Sequence, residues 1–191
     1  MITLVIVDYQ NDFITGTMSV KNAKNSVEEV KKYIKNHKKE IEKILFTADW
    51  HSYDHCSFKK YGGEWTHHCI QFTPGACIEP KLLKYVQSFD IPYQVSTRGE
   101  DKFTDPEGPF MEIEFSQDDS LVSKYYFDSI VEADAGTEFV ITGVANATSI
   151  AIKNMLSNEI VPKVYMPGII STDGGRVFSE FVKANNLEKT T

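Results

Sequence analysis

Ile2-Thr3-Leu4-Val5-Ile6-Val7-Asp8 is a run of mostly β-branched and aliphatic residues that stops at a carboxylate, and its reading decides the architecture. A strand with one face in water alternates apolar and polar residues, whereas a near-continuous apolar run is covered on both faces, as in parallel sheets flanked by helices. Asp8 then falls at the carboxyl end of a buried strand. Working outward, residues 41–48 repeat the pattern and end at Asp49, residues 93–97 form a shorter strand before Arg98, residues 138–144 lead into Asn146, and residues 161–166 follow. Helices are expected between them. Residues 27–38 carry Val27, Val30, Tyr33 and Ile34 at helical spacing, with Ser26 as the cap and Glu28 and Glu29 where the helix dipole favours acids. Residues 120–131 and 147–157 are read as helices, residues 80–88 as helical or irregular, and Gly174 or Gly175 introduces a last helix bearing Val177, Phe178, Phe181 and Val182.

This alternation of strand and helix, with no repeat and no linker, predicts one α/β domain over residues 1–191: an open, mostly parallel sheet with helices on both faces. Ligands of such sheets bind outside the carboxyl ends of the strands. Asp8, Asp49, Arg98 and the turn from Val144 to Ser149 all fall at such ends, so one crevice can collect them. Residues 50–75 have no clear period and are read as a long functional loop, and residues 98–108 as another polar loop.

Composition excludes several classes of function. The net charge of −7 offers no basic face to a polyanion, and the Lys-rich stretch 31–43 is interleaved with Glu40 and Glu42 as on a solvated helix face, so nucleic acid is not expected as a partner. No apolar run approaches the ~20 residues of a membrane helix, and no leader pattern opens the sequence. Three cysteines, Cys56, Cys69 and Cys77, without a Cys-x-x-Cys pair, are read as buried small residues in a reducing compartment. The expectation is a cytoplasmic protein.

The chemistry concentrates in one loop. Asp49-Trp50-His51-Ser52-Tyr53-Asp54-His55 places a carboxylate and two imidazoles at i, i+2 and i+6, and His67-His68 follow, so four of the five histidines lie there. Imidazole with carboxylate suits Zn²⁺, with Fe²⁺ and Mn²⁺ as alternatives, and does not favour Ca²⁺ or Mg²⁺.

These segments resemble the nicotinamidase and pyrazinamidase branch of the isochorismatase-like cysteine hydrolases. Val7-Asp8-Tyr9-Gln10-Asn11-Asp12-Phe13 is similar to that family's opening strand and loop, Asp49-Trp50-His51 through His55 to its metal loop, and Trp65-Thr66-His67-His68-Cys69 with Thr73-Pro74-Gly75 to the segment of its last ligand. The similarity continues through Arg98-Gly99-Glu100 to Gly143-Val144-Ala145. It implies a Rossmann-like three-layer fold with Asp8 as general base, Asp49, His51, His55 and His68 around a metal, His67 as a neighbour, and Phe13 and Trp65 flanking a flat heteroaromatic amide. From its own surroundings in the sequence, Phe13 reads first as a core residue. The resemblance further implies an oxyanion site at the amides of Ala145 and Ser149, with a cis peptide at Val144-Ala145, and a homo-oligomer.

Two positions depart from the family. Ser149 stands where its nucleophilic cysteine lies, and a hydroxyl is far less acidic than a thiol. Arg98 stands where it has a catalytic lysine, and a guanidinium keeps the charge but does not release a proton. Lys102 is either a substitute ammonium or a solvated loop charge. Two readings follow. One is a metal-dependent amidohydrolase acting on nicotinamide or a similar small amide, with Ser149 or metal-activated water as nucleophile. The other is a non-catalytic, metal-dependent binder of nicotinamide-like rings.

Overall fold

The computed structural model describes residues 1–105, 111–115, 121–125 and 136–191 of the chain. Its main sheet has six parallel strands in the order β3-β2-β1-β6-β7-β8: β1 (Ile2–Val7), β2 (Ile41–Asp49), β3 (Tyr93–Arg98), β6 (Glu138–Gly143), β7 (Lys163–Tyr165) and β8 (Lys189–Thr190). The apolar run of β1 is buried at every position, and the strand lies at the centre of the sheet, between β2 and β6.

The side-chain period of two sends alternate residues of β1 into different cores. Leu4 and Ile6, with Ile44, Phe46 and Val140, pack under Val27, Val30 and Ile34 of α2 (Ala23–His37) and Leu82 and Val86 of α3 (Pro80–Gln87). Val5 and Val7, with Leu45 and Ile141, pack under Ala151, Ile152 and Met155 of α4 (Ala145–Ser157) and Phe178 and Val182 of α5 (Arg176–Ala184). Burying each such aliphatic side chain contributes roughly 1.5–3 kcal/mol, so the two-sided core dominates the stabilising terms. The expected three-layer α/β architecture is the one observed.

Local departures have identifiable causes. Helix α2 begins four residues before the expected start. It is entered through Asn22 in the left-handed conformation (φ 73°), and Ser26 is spent on packing, its hydroxyl donating to Ile169 O at 3.2 Å. Residues 121–125, expected within a helix, are instead the strand β5 (Leu121–Tyr125), paired antiparallel with β4 (Met111–Phe115), and 120 and 126–131 of that expected helix lie outside the described residues. The polar–apolar alternation of Met-Glu-Ile-Glu-Phe at 111–115 was the available signal for this strand pair, and cross-strand pairing overrode a weak helix period. A single turn, α1 (Asn11–Ile14), follows β1. Cys69 is buried as expected, but Cys56 is intermediate and Cys77 is exposed beside the 3₁₀ turn Pro74–Ala76. No described helix is long and apolar enough to cross a membrane.

Candidate metal and amide site

Register brings the chemistry together. Val7 is level with Thr47 on β2 and Gly143 on β6, and Asp49 is level with Arg98 on β3. Asp8 therefore leaves β1 into the crevice where Asp49 and Arg98 also end. It does so with φ 57°, in the left-handed region that a non-glycine residue enters only when its surroundings hold it there. Here they do: Asp8 N–H donates to Thr47 O at 3.1 Å, and Asp8 O accepts from Gln10 N at 2.8 Å.

The Arg98 guanidinium spans two carboxylates. Its Nη1 and Nη2 donate to Asp8 Oδ1 and Oδ2 at 2.8 and 2.7 Å, and Nη2 also lies 2.6 Å from Asp49 Oδ1. Thr47 Oγ1 donates to Asp8 Oδ1 at 2.8 Å as well, so both oxygens of Asp8 are engaged. Burial by itself would raise the Asp49 pKa, but the Arg98 charge and hydrogen bonds from His51 and His68 outweigh it and hold the carboxyl well below the usual range.

Asp49 Oδ2 faces two imidazoles, His51 Nε2 at 3.8 Å and His68 Nε2 at 3.5 Å. One ligand atom from each of Asp49, His51 and His68 lies within 4.8 Å of the others, and all three residues are buried. The far nitrogen of each ring is anchored: His51 Nδ1 to Gly99 O at 3.1 Å and His68 Nδ1 to Thr66 O at 2.8 Å. A backbone carbonyl only accepts, so each Nδ1 carries a hydrogen, which leaves Nε2 as the nitrogen turned to Asp49. This is how metal-binding histidines are usually oriented. His68 reaches the site because His51 N–H donates to Cys69 O and Gln71 N–H to His51 O, at 3.0 and 2.8 Å, which splices residues 69–71 onto the end of β2. The donor set therefore fits a first-row divalent cation with a two-imidazole, one-carboxylate preference.

His55 is placed differently. Its Nδ1 accepts from Ser57 N at 3.2 Å, so its Nε2 is the protonated nitrogen and donates to Thr104 O at 3.1 Å. It groups with His51 and exposed Asp105 rather than with Asp49 and His68. Replacing His68 by Gln is accordingly expected to cost far more zinc affinity than replacing His55 by Gln. Chelator competition on the two purified variants checks this, and equal losses would place His55 in the inner set.

The remaining expected residues separate. Phe13 is buried with Cys69 and Ala76, and its ring meets His68 edge-on at 5.6 Å, so its core and site readings coincide. Trp65 is 41% exposed. Lys102 pairs with Asp54 at 3.1 Å and lies over the Phe103 ring, away from Asp8. Ser149 lies in the second turn of α4, and its hydroxyl donates to Asn146 O at 2.7 Å. The expected oxyanion geometry at Ala145 is not present: no cis peptide occurs among the described residues, and Ala145 N–H donates to Ile170 O at 2.9 Å because residues 143–145 run on into a bridge with Ile170. That amide is occupied by the fold.

Against known proteins, no family model matches the sequence, and no curated protein matches it. Solved structures do. A pyrazinamidase of Pyrococcus horikoshii, solved in complex with zinc, shares 21% identity and a TM-score of 0.77 over 100% of this chain and 98% of its own. The yeast nicotinamidase shares 18% identity with a TM-score of 0.79 over 100% and 99%. The fold is that of the nicotinamidases. An N-carbamoylsarcosine amidase of Thermoplasma acidophilum shares it too, at 15% identity and a TM-score of 0.72 over 99% and 95%.

Two residues that the sequence did not mark lie beside this crevice. Gln10 is fully buried against the backbone of Asp49, and Gly99 carries the carbonyl that anchors His51. Neither has a chemical signature of its own. Only their neighbours reveal them.

Proposed function

We propose that this chain is a metal-dependent amidohydrolase that converts nicotinamide or a similar small carboxamide to the acid and ammonia. The observation that carries the reading is the trio Asp49, His51 and His68, with both Nε2 atoms directed at one carboxylate oxygen and the Asp8–Arg98 pair adjoining it. The fold likeness to amidohydrolases along the whole chain supports it. Asp49, His51 and His68 would hold the ion, Zn²⁺ first and Fe²⁺ or Mn²⁺ as alternatives, and a bound ion supplies a Lewis acid that orients or polarises the amide. Phe13 would flank the ring. Ser149 Oγ would form a bond to the amide carbon as its proton passes to Asp8. The C–N bond breaks with that proton leaving on ammonia, and water then cleaves the ester to regenerate the hydroxyl. Cytoplasmic location and assembly into a homo-oligomer complete the proposal.

A specific observation favours the second reading, a non-catalytic binder of nicotinamide-like rings. The carboxylate that would act as base is held by a bidentate guanidinium, and the Ser149 hydroxyl is turned to its own helix. Ammonia release from nicotinamide by the zinc-loaded chain separates the two. Turnover by the unmodified chain that disappears in Asp8→Asn supports the amidohydrolase. Turnover only after Ser149→Cys is combined with Arg98→Lys supports the binder.

A further inference from the structure

Asp49 is constrained from two directions before any ion arrives. Arg98 holds Oδ1 at 2.6 Å, which leaves Oδ2 as the oxygen facing His51 and His68. That accounts for the carboxylate but not for the backbone that carries it, which sits at the very end of β2, where the sheet ladder stops. The carboxamide of Gln10 takes over there. Its Oε1 accepts from Asp49 N at 2.8 Å and its Nε2 donates to Asp49 O at 2.7 Å, so one side chain is bonded to both polar groups of the Asp49 backbone. The second Nε2 hydrogen is directed to Ala76 O at 2.8 Å, on the segment that follows the turn bearing His68.

We infer that Gln10 is a positioning residue for the metal centre: it sets the place of Asp49, and ties it to the 68–76 segment, so that the three ligand atoms converge. The inference rests on the metal reading proposed above. It follows from the geometry that a planar group with one acceptor and two donors is needed, since only an amide satisfies one N–H and two C=O groups at once. Gln10 is wholly buried, so water cannot replace it. The inference also explains why a polar residue follows so closely on β1 in a position with no access to a ligand.

Cobalt(II) titration of the full chain tests this, because cobalt reports both affinity and, through its visible d–d bands, ligand geometry. Gln10→Met preserves side-chain length without the three hydrogen bonds, and Val182→Ala, in the opposite layer, serves as a destabilised control. Gln10→Met is expected to bind cobalt about 10–100-fold more weakly, the usual cost of losing an outer partner of a metal ligand, with altered d–d bands. Val182→Ala should stay within about twofold of the unmodified chain. Equal affinity in Gln10→Met, or an equal loss in the control at the same thermal stability, overturns the inference. If Gln10→Met does not fold, Gln10→Asn, which withdraws the amide by one methylene, is read by the same criterion, and failure of both to fold assigns Gln10 to the fold and not to the site. An unmodified chain that takes up no cobalt removes the metal reading itself, and that is seen before any variant is compared.

Discussion

Replacing Arg98 by Met in the metal-free chain is expected to lower stability by about 3–5 kcal/mol at neutral pH, measured by urea unfolding. The reason is electrostatic. Asp8 and Asp49 are 1% and 6% exposed, and Arg98 is the cation that bridges them. Taking it away removes the bridging cation from two buried carboxylates, a larger penalty than the lost contacts alone. The pH dependence has a definite sign. With Arg98 present, the folded-state pKa of Asp49 is depressed, so its contribution is complete above the unfolded value of about 3.9 and is lost as pH falls below it. Without Arg98, burial raises the Asp49 pKa, the folded state takes up a proton first, and the variant gains stability as pH falls. The difference between the two proteins should therefore shrink between pH 7 and pH 4. A cost under about 1 kcal/mol at pH 7, or a gap that widens on acidification, would show that the bridge is not what neutralises the pair.

The second large effect is expected at Gly99. Its φ is +69°, and a methyl group there would lie 2.4 Å from His51 Cε1 and 2.6 Å from Nδ1. Gly99→Ala must therefore accept left-handed strain of about 1–2 kcal/mol and also turn the His51 ring off the Gly99 carbonyl. Losing that anchor releases the tautomer and aim of Nε2, for which zinc affinity should fall about 10–100-fold. Gly174→Ala separates the two causes: its φ is +70°, but nothing lies within 4 Å of the added carbon. It should lose stability and keep its affinity. Chelator competition on both variants checks this, and the idea fails if Gly99→Ala binds zinc as tightly as Gly174→Ala does.

The two predictions differ in where their residues show: Arg98 was marked in the sequence by its place at a strand end, whereas Gly99 gains its importance only in three dimensions. The β1 strand was legible because its burial on both faces is written into six consecutive positions, and Asp8, Asp49 and Arg98 were legible because strand ends in a parallel sheet converge. The grouping of Asp49, His51 and His68 was legible from residue type, since imidazole and carboxylate have few other reasons to crowd one loop. The different place of His55 was not, because it depends on which backbone groups meet its two nitrogens, Ser57 N–H on one side and Thr104 O on the other. Nor was the occupied amide of Ala145, which is set by a bridge to a residue 25 positions away.

By itself, then, the sequence determined the layer order, the apolar faces and the stock of reactive groups, because local period and side-chain chemistry are properties of neighbouring residues. Tertiary structure alone decided which of those groups are paired, aimed or blocked. Arg98 closes on Asp8, Gln10 clasps Asp49, and Ser149 turns to Asn146. Each of these is a hydrogen bond, and a hydrogen bond needs its two atoms placed to within a few tenths of an ångström, which the chain achieves only when it folds.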